Sequence, residues 1–148
     1  MTMPRLKMAD VAPEAYRVLS GVEGYIRHCG LQESLLHLVK MRASQINGCG
    51  FCLDMHAKDA LKHGETAQRL FVLDGWRESS LYSPREQAAL AWTDTLTRVA
   101  AEGAPDSVYD ALTPHFTIKE IADLTTVIGM INLWNRLMVG FHVPHPPA

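Results

Sequence analysis

A chain of 148 residues, 47% hydrophobic and 20% charged with a mean hydropathy of −0.03, lies in the range of ordinary globular domains and outside that of disordered or collagenous chains. At this length roughly 68–70% of the unfolded chain's surface can be buried, so one core needs no disulfide staple. Fourteen Lys and Arg against sixteen Asp and Glu leave a net charge of −2 and a pI near 6.4, which removes the excess positive charge that nucleic-acid or anionic-membrane binding draws on.

The apolar period is close to 3.6 almost throughout, with no strand-like alternation of useful length. A first helix is predicted from near Pro13, whose fixed φ suits a first turn, to before Gly30, with Tyr16, Leu19, Val22 and Ile26 on one face. Gly21 and Gly24 inside it suggest a close helix approach. A second helix covers about residues 32–45, with Leu35, Leu38, Val39 and Arg42 on neighbouring faces, and Asn47-Gly48 ends it. A third covers about 50–63, followed by Gly64 where a left-handed cap is favoured. A short helix over about 65–73 and a turn at Asp74-Gly75 come next. Ser83-Pro84-Arg85-Glu86 supplies a Ser N-cap, a first-position Pro and a third-position Glu, and opens a helix through Trp92 and Leu96 towards Gly103. Asp106 is expected to cap a short helix ending near Pro114. Thr117-Ile118-Lys119-Glu120 is a second capping box, launching a helix to about Gly140 that buries Ile121, Leu124, Ile128, Ile131 and Trp134. Its Lys119, Glu120, Asp123, Asn132, Asn135 and Arg136 argue against a membrane span. Pro144, Pro146 and Pro147 lack amide donors and leave 144–148 as a flexible tail.

No repeat, linker or compositional break divides the chain, so 1–148 reads as a single all-α domain, a helical bundle. The first thirty residues hold no signal-type apolar run, and no stretch reaches 18 apolar residues without charge. A soluble, cytoplasmic protein with no nucleic-acid and no membrane partner is expected.

Three cysteines cannot all pair within one chain and are too few for a disulfide scaffold, so the Cys49-x-x-Cys52 spacing points to chemistry or metal. Cys49, Cys52 and His56 stand at i, i+3 and i+7 and share an arc of about 60° on a helix. Asn47-Gly48 breaks the preceding helix, which places the cysteines at a helix start, where free N–H groups and the dipole favour an anion. In such sites a thiol can fall from ~8.5 to about 3.5–7.5. His56 follows Cys52 by four residues, close enough to take its proton directly or through one water. A second cysteine can capture a sulfenic acid formed on the first, so peroxide or disulfide reduction is the reaction class indicated. Zinc needs a fourth ligand, and His63, fourteen residues from Cys49, lies about 21 Å away along a straight helix. No metal and no cofactor is therefore expected. His63 is read as complementing its helix C-terminus, and Cys29 as a small buried hydrophobe.

The segment LVKMRASQINGCGFCLDMHAKDA, continued by WRESSLYSPREQAALAWTDTLT and INLWNRLMVGF, resembles the alkylhydroperoxidase D family of the carboxymuconolactone decarboxylase-like superfamily over most of the chain. The resemblance implies an all-α fold of the alkylhydroperoxidase D-like type, a homo-oligomer, commonly a trimer or hexamer, and an antioxidant peroxidase acting on organic hydroperoxides. In the family pattern the second cysteine attacks the peroxide, which falls on Cys52, and the first resolves the sulfenic acid, which falls on Cys49. His56 is the pattern's proton-transfer histidine. The implied cycle closes with a dithiol, lipoyl or thioredoxin-like reductant, with a peroxiredoxin as client. The pattern's relay glutamate, twelve residues before the first cysteine, is His37 here. A histidine accepts a proton but brings no fixed negative charge, and His37 reads equally as a packed helix-interface residue. Glu33, one turn earlier and displaced by about 6 Å, offers a substitute carboxylate. Two other functions use the same residues. One is a non-catalytic redox sensor or adaptor switched by the same disulfide. The other is a decarboxylase-type carbon-acid enzyme with His56 and His37 as acid and base, against which the cysteine pair argues.

Overall fold

The computed structural model describes residues 3–147. Among these residues the chain is helical without a strand: α1 (Met8–Val11), α2 (Pro13–His28), α3 (Glu33–Asn47), α4 (Gly50–Lys62), α5 (Ala67–Phe71), a 3₁₀ stretch (Leu73–Glu78), α6 (Pro84–Thr97), α7 (Val99–Glu102), α8 (Asp106–Asp110) and α9 (Ile118–Gly140). The helix starts follow local chemistry. Ser83 Oγ accepts the Glu86 N–H at 3.2 Å while the Glu86 carboxylate accepts the Ser83 N–H at 2.8 Å, and Thr117 and Glu120 repeat the box at α9. Pro13 and Pro84 occupy first-turn positions.

The departures from the sequence reading are local. The helix expected to run to Gly103 breaks at Arg98 (φ −107°, ψ 22°) and restarts as α7. Pro105, not Asp106, is the N-cap of α8, with Asp106 in its first turn. The segment after Gly64 divides into α5 and the 3₁₀ stretch, with Gly75 non-helical at the kink. The close approach expected at Gly21 and Gly24 is absent among the described residues: a Cβ at either would meet nothing within 4 Å beyond its own helix backbone. Of the expected tail 144–148, Pro144 borders the cavity described below, and residue 148 lies outside the described residues.

The core is built around α3, which packs on α4, α6 and α9, while α2 lies along α9. Leu35 and Val39 meet Ile121, Leu124 and Ile128 on one side of α3; Leu38 and Met41 meet Leu73, Trp76 and Leu90 on another. Full burial of each such side chain contributes roughly 1.5–3 kcal/mol. No helix of the described residues is long and apolar enough to cross a membrane.

Inside this packing sits an ion pair. Arg42 is 4% exposed and Asp94 1%, and the Arg42 Nε donates to Asp94 Oδ1 at 2.6 Å. Arg42 also donates to Asp74 at the turn, and Arg77 donates to the second Asp94 oxygen at 2.6 Å. Burial pushes the Asp94 carboxyl up, but the hydrogen bonds from Arg42 and Arg77 outweigh it and hold the group below the usual carboxylate range.

Removing one partner from a buried pair strands the other charge, so Asp94→Asn is expected to cost about 3–5 kcal/mol in denaturant unfolding. Arg77→Ala, at the exposed end, should cost about 1 kcal/mol or less. Because the folded-state carboxyl is depressed, its stabilisation is complete above the unfolded pKa of ~3.9 and is lost as pH falls through the lower folded value. The acid limb of stability against pH should be shallower in Asp94→Asn.

Candidate active site

The turn between α3 and α4 is set by Gly48, left-handed at φ +65°, a conformation that a side chain strains. The Cys49 amide donates back to Ser44 O at 3.0 Å, closing α3. Cys49 then becomes the N-cap of α4, and its sulfur accepts the Cys52 amide at 3.4 Å, where a Ser or Asp oxygen ordinarily serves. The two sulfurs lie 2.6 Å apart and both residues are 1% exposed. The hydrogen bond from the Cys52 thiol is the main cause that draws Cys49 down to about 7; burial opposes it, and the Cys52 amide and Asn135 add to it. Cys52 moves up for the complementary reasons, its bond to Cys49 and its burial. The pair therefore releases one proton readily and holds the second, and the hydrogen bond from the Cys52 amide favours Cys49 as the site of the charge.

Polar side chains from α9 hold this turn. Asn135, 1% exposed, donates to Ser44 Oγ at 3.0 Å, and its oxygen accepts from Asn47 Nδ2 at 2.9 Å. Asn47 Nδ2 reaches Asn132 Oδ1 at 3.0 Å as well. The sequence marks Asn135 only as a residue unsuited to a membrane span. Its contact with the sulfurs depends on α9 lying over the turn, which no local signal encodes.

Cys52 borders a cavity of about 980 Å³, and Cys49 is not in its lining. Leu36, Phe51, Met55, Trp134 and Met138 give the wall an apolar character. His56 and His37 border the same space, so all the residues singled out in the sequence converge except that Cys49 stands behind Cys52. His56 makes no hydrogen bond to either sulfur among the described residues. Burial first, then the charges of Lys40 and His37, lower His56 to about 4, so it is a neutral imidazole at neutral pH. Lys40 is fixed by Glu23 at 3.0 Å, and Glu23 also accepts the Trp134 indole N–H at 2.9 Å.

His37 is not a satisfied interface histidine: both ring nitrogens are buried without a hydrogen-bond partner among the described residues. Glu33, expected to be displaced by a full turn, reaches back to 3.8 Å from His37 Nε2. His63 joins them from the end of α4, its ring stacked on His37 with centroids 5.5 Å apart. His63 Nδ1 also meets Asp59 O at 2.8 Å in the last turn, where a helix-terminal histidine is expected.

The carboxymuconolactone decarboxylase family profile matches residues 13–95. The uncharacterized protein YdfG of Bacillus subtilis is 37% identical over 135 residues, covering 91% of this chain and 92% of its own. A crystal structure of a protein of unknown function from Agrobacterium tumefaciens, described as a candidate antioxidant defence protein AhpD, superposes with a TM-score of 0.96 at 42% identity, over 99% of this chain and 100% of that one. The debrominase Bmp8 shares the fold at a TM-score of 0.82 and 16% identity, over 90% of this chain and 72% of its own.

Ultraviolet titration should reveal one thiolate per chain forming with a midpoint near 7. Cys52→Ser should keep that thiolate, because a hydroxyl still donates to Cys49; Cys49→Ser should lose it, and Asn135→Ala should move it upward. A low midpoint that survives Cys49→Ser would put the charge on Cys52.

Proposed function

The chain belongs to the carboxymuconolactone decarboxylase family, and from that premise we propose that it is a thiol-dependent peroxidase of organic hydroperoxides, with Cys52 attacking, Cys49 resolving and His56 moving the proton. The observation that carries the reading is the order of the two sulfurs: Cys52 borders an apolar cavity, and Cys49 stands 2.6 Å behind it. An apolar wall suits an alkyl hydroperoxide better than a small polar oxidant. The Agrobacterium relative's description as an antioxidant defence protein agrees with this.

The resting charge on Cys49 and attack by Cys52 are compatible, because the thiol proton sits between the sulfurs. Its transfer from Cys52 to Cys49 makes Cys52 the thiolate facing the cavity. That thiolate attacks the outer peroxide oxygen, the O–O bond breaks, and an alkoxide leaves. The alkoxide takes up one proton, relayed by His56 through water, to become the alcohol. A neutral imidazole of low basicity passes such a proton on without retaining it. Cys49 then attacks the Cys52 sulfenic acid, expelling water and closing a disulfide. A dithiol of the lipoyl or thioredoxin class returns both sulfurs to thiols and is itself oxidised. A cytoplasmic location, a homo-oligomeric assembly and a peroxiredoxin client belong to the same proposal.

With cumene hydroperoxide and a recycling dithiol, many turnovers per chain are expected; a single oxidation without recycling would identify a sensor instead. Cys52→Ser should abolish turnover, since a serine hydroxyl is hardly ionised and forms no sulfenic acid. Cys49→Ser, which removes the acceptor of the Cys52 proton, should react once, more slowly than the wild type, and accumulate oxygen adducts on Cys52 in intact-mass spectra. Turnover retained in Cys52→Ser would remove the reading.

A further inference from the structure

At the open end of the α3–α4 hairpin, away from the cysteines, Glu33, His37 and His63 offer one ligand atom each, all within 4.8 Å of one another. Glu33 Oε1 lies 3.4 Å from His63 Nε2 and 3.8 Å from His37 Nε2. A backbone carbonyl only accepts, so the 2.8 Å contact of His63 Nδ1 with Asp59 O puts the ring proton on Nδ1. That leaves Nε2 as the nitrogen that faces the Glu33 carboxylate. The buried nitrogens of His37 have no hydrogen-bond partner among the described residues. A carboxylate and two imidazoles, each able to present an electron pair, thus face one space. A proton on His63 would answer only the Glu33 contact and would leave His37 unpartnered. A metal ion answers all three.

We propose that Glu33, His37 and His63 bind one divalent first-row transition ion, with a further coordination position open to the cavity that Cys52 borders. Bonds of about 2.0–2.2 Å to a tetrahedral ion place ligand atoms roughly 3.3–3.6 Å apart; Glu33–His63 at 3.4 Å meets this, while Glu33–His37 at 3.8 Å and the two histidine nitrogens, within 4.8 Å of each other, close onto it by small side-chain rotations. Two imidazoles and one carboxylate suit zinc and its neighbours, whereas calcium and magnesium take oxygen ligands. The His63 Nδ1–H to Asp59 carbonyl bond is the support that ligating histidines ordinarily carry, fixing tautomer and ring orientation. All three ligands line the same cavity as Cys52, so the open position receives water or an oxygen of whatever enters there. Zinc held by the helix that carries both cysteines was excluded by the length of that helix; this set closes because α3 supplies two of the ligands. The assignment is independent of the peroxidase reading.

The test is competition between the metal-stripped full chain and a chromophoric chelator for Zn²⁺, with bound metal counted by elemental analysis. One zinc per chain is expected, and it should persist in the Cys49→Ser/Cys52→Ser double variant. His63→Ala and Glu33→Gln, both at exposed side chains, should each weaken binding by about 100-fold or more without loss of helix signal. Co²⁺ in the site should give visible bands without thiolate-to-metal charge transfer. Absence of stoichiometric binding by the wild-type chain, or binding that survives His63→Ala and vanishes with the cysteines, would overturn the proposal. Neither result bears on hydroperoxide turnover, which is measured separately.

Discussion

Arg42 reaches out of α3 into a place where water does not follow, and the Asp94 carboxylate of α6 meets it there. Two charges taken out of water are tolerated only in mutual contact and with their remaining hydrogen bonds made. Arg42 meets this condition through Asp94 and Asp74, and Asp94 through Arg42, Arg77 and the Trp76 indole at 3.4 Å. The apolar contacts around α3 would accept small slides of one helix along another. A directional pair does not, so it sets the register of α3 against α6 and the 3₁₀ turn. Everything chemical hangs from α3: Glu33 and His37 lie on it, and its end delivers Cys49.

The same division of labour recurs at the thiols. Ala43, Phe51, Ile131 and Met138 exclude water, while Ser44, Asn47 and Asn135 fix the turn by bonds with defined donors and acceptors. A sulfur in the N-cap role ties acidity to backbone geometry, since the amide that ends the turn also stabilises the thiolate. Charge on Cys49 and cavity access at Cys52 are separate properties of two atoms 2.6 Å apart.

Much of the fold was legible because it is written locally. Pro13, the Ser83 and Thr117 boxes and Gly48 act within one turn of themselves, and the long helices begin or end where they say. The short α1 and the break at Arg98 have too few residues to display a period. Cys49, Cys52 and His56 were legible for a similar reason, as they share one helix. Contacts between helices were not. Spacing along a helix put His63 out of reach of Cys49 and left it a capping role, and nothing local announced that it would stack on His37. Likewise the sequence shows Arg42 only as one side of an amphipathic helix and gives Asp94 no partner, because the two meet only when the helix faces pack.

Gly48 gives the hairpin a lever arm. Cys49 and Cys52 sit beside the joint, whereas His63 lies about 20 Å along α4 from it. A change of about 5° in the angle at Gly48 would leave the sulfurs nearly where they are and carry His63 by roughly 2 Å, given that rise per residue. The cysteine chemistry is therefore insensitive to substitutions that re-angle the two helices, while the Glu33–His37–His63 cluster amplifies them. Descendants of this sequence should show epistasis between the residues packed in the α3–α4 interface and those three side chains, with the cysteine pair indifferent to both.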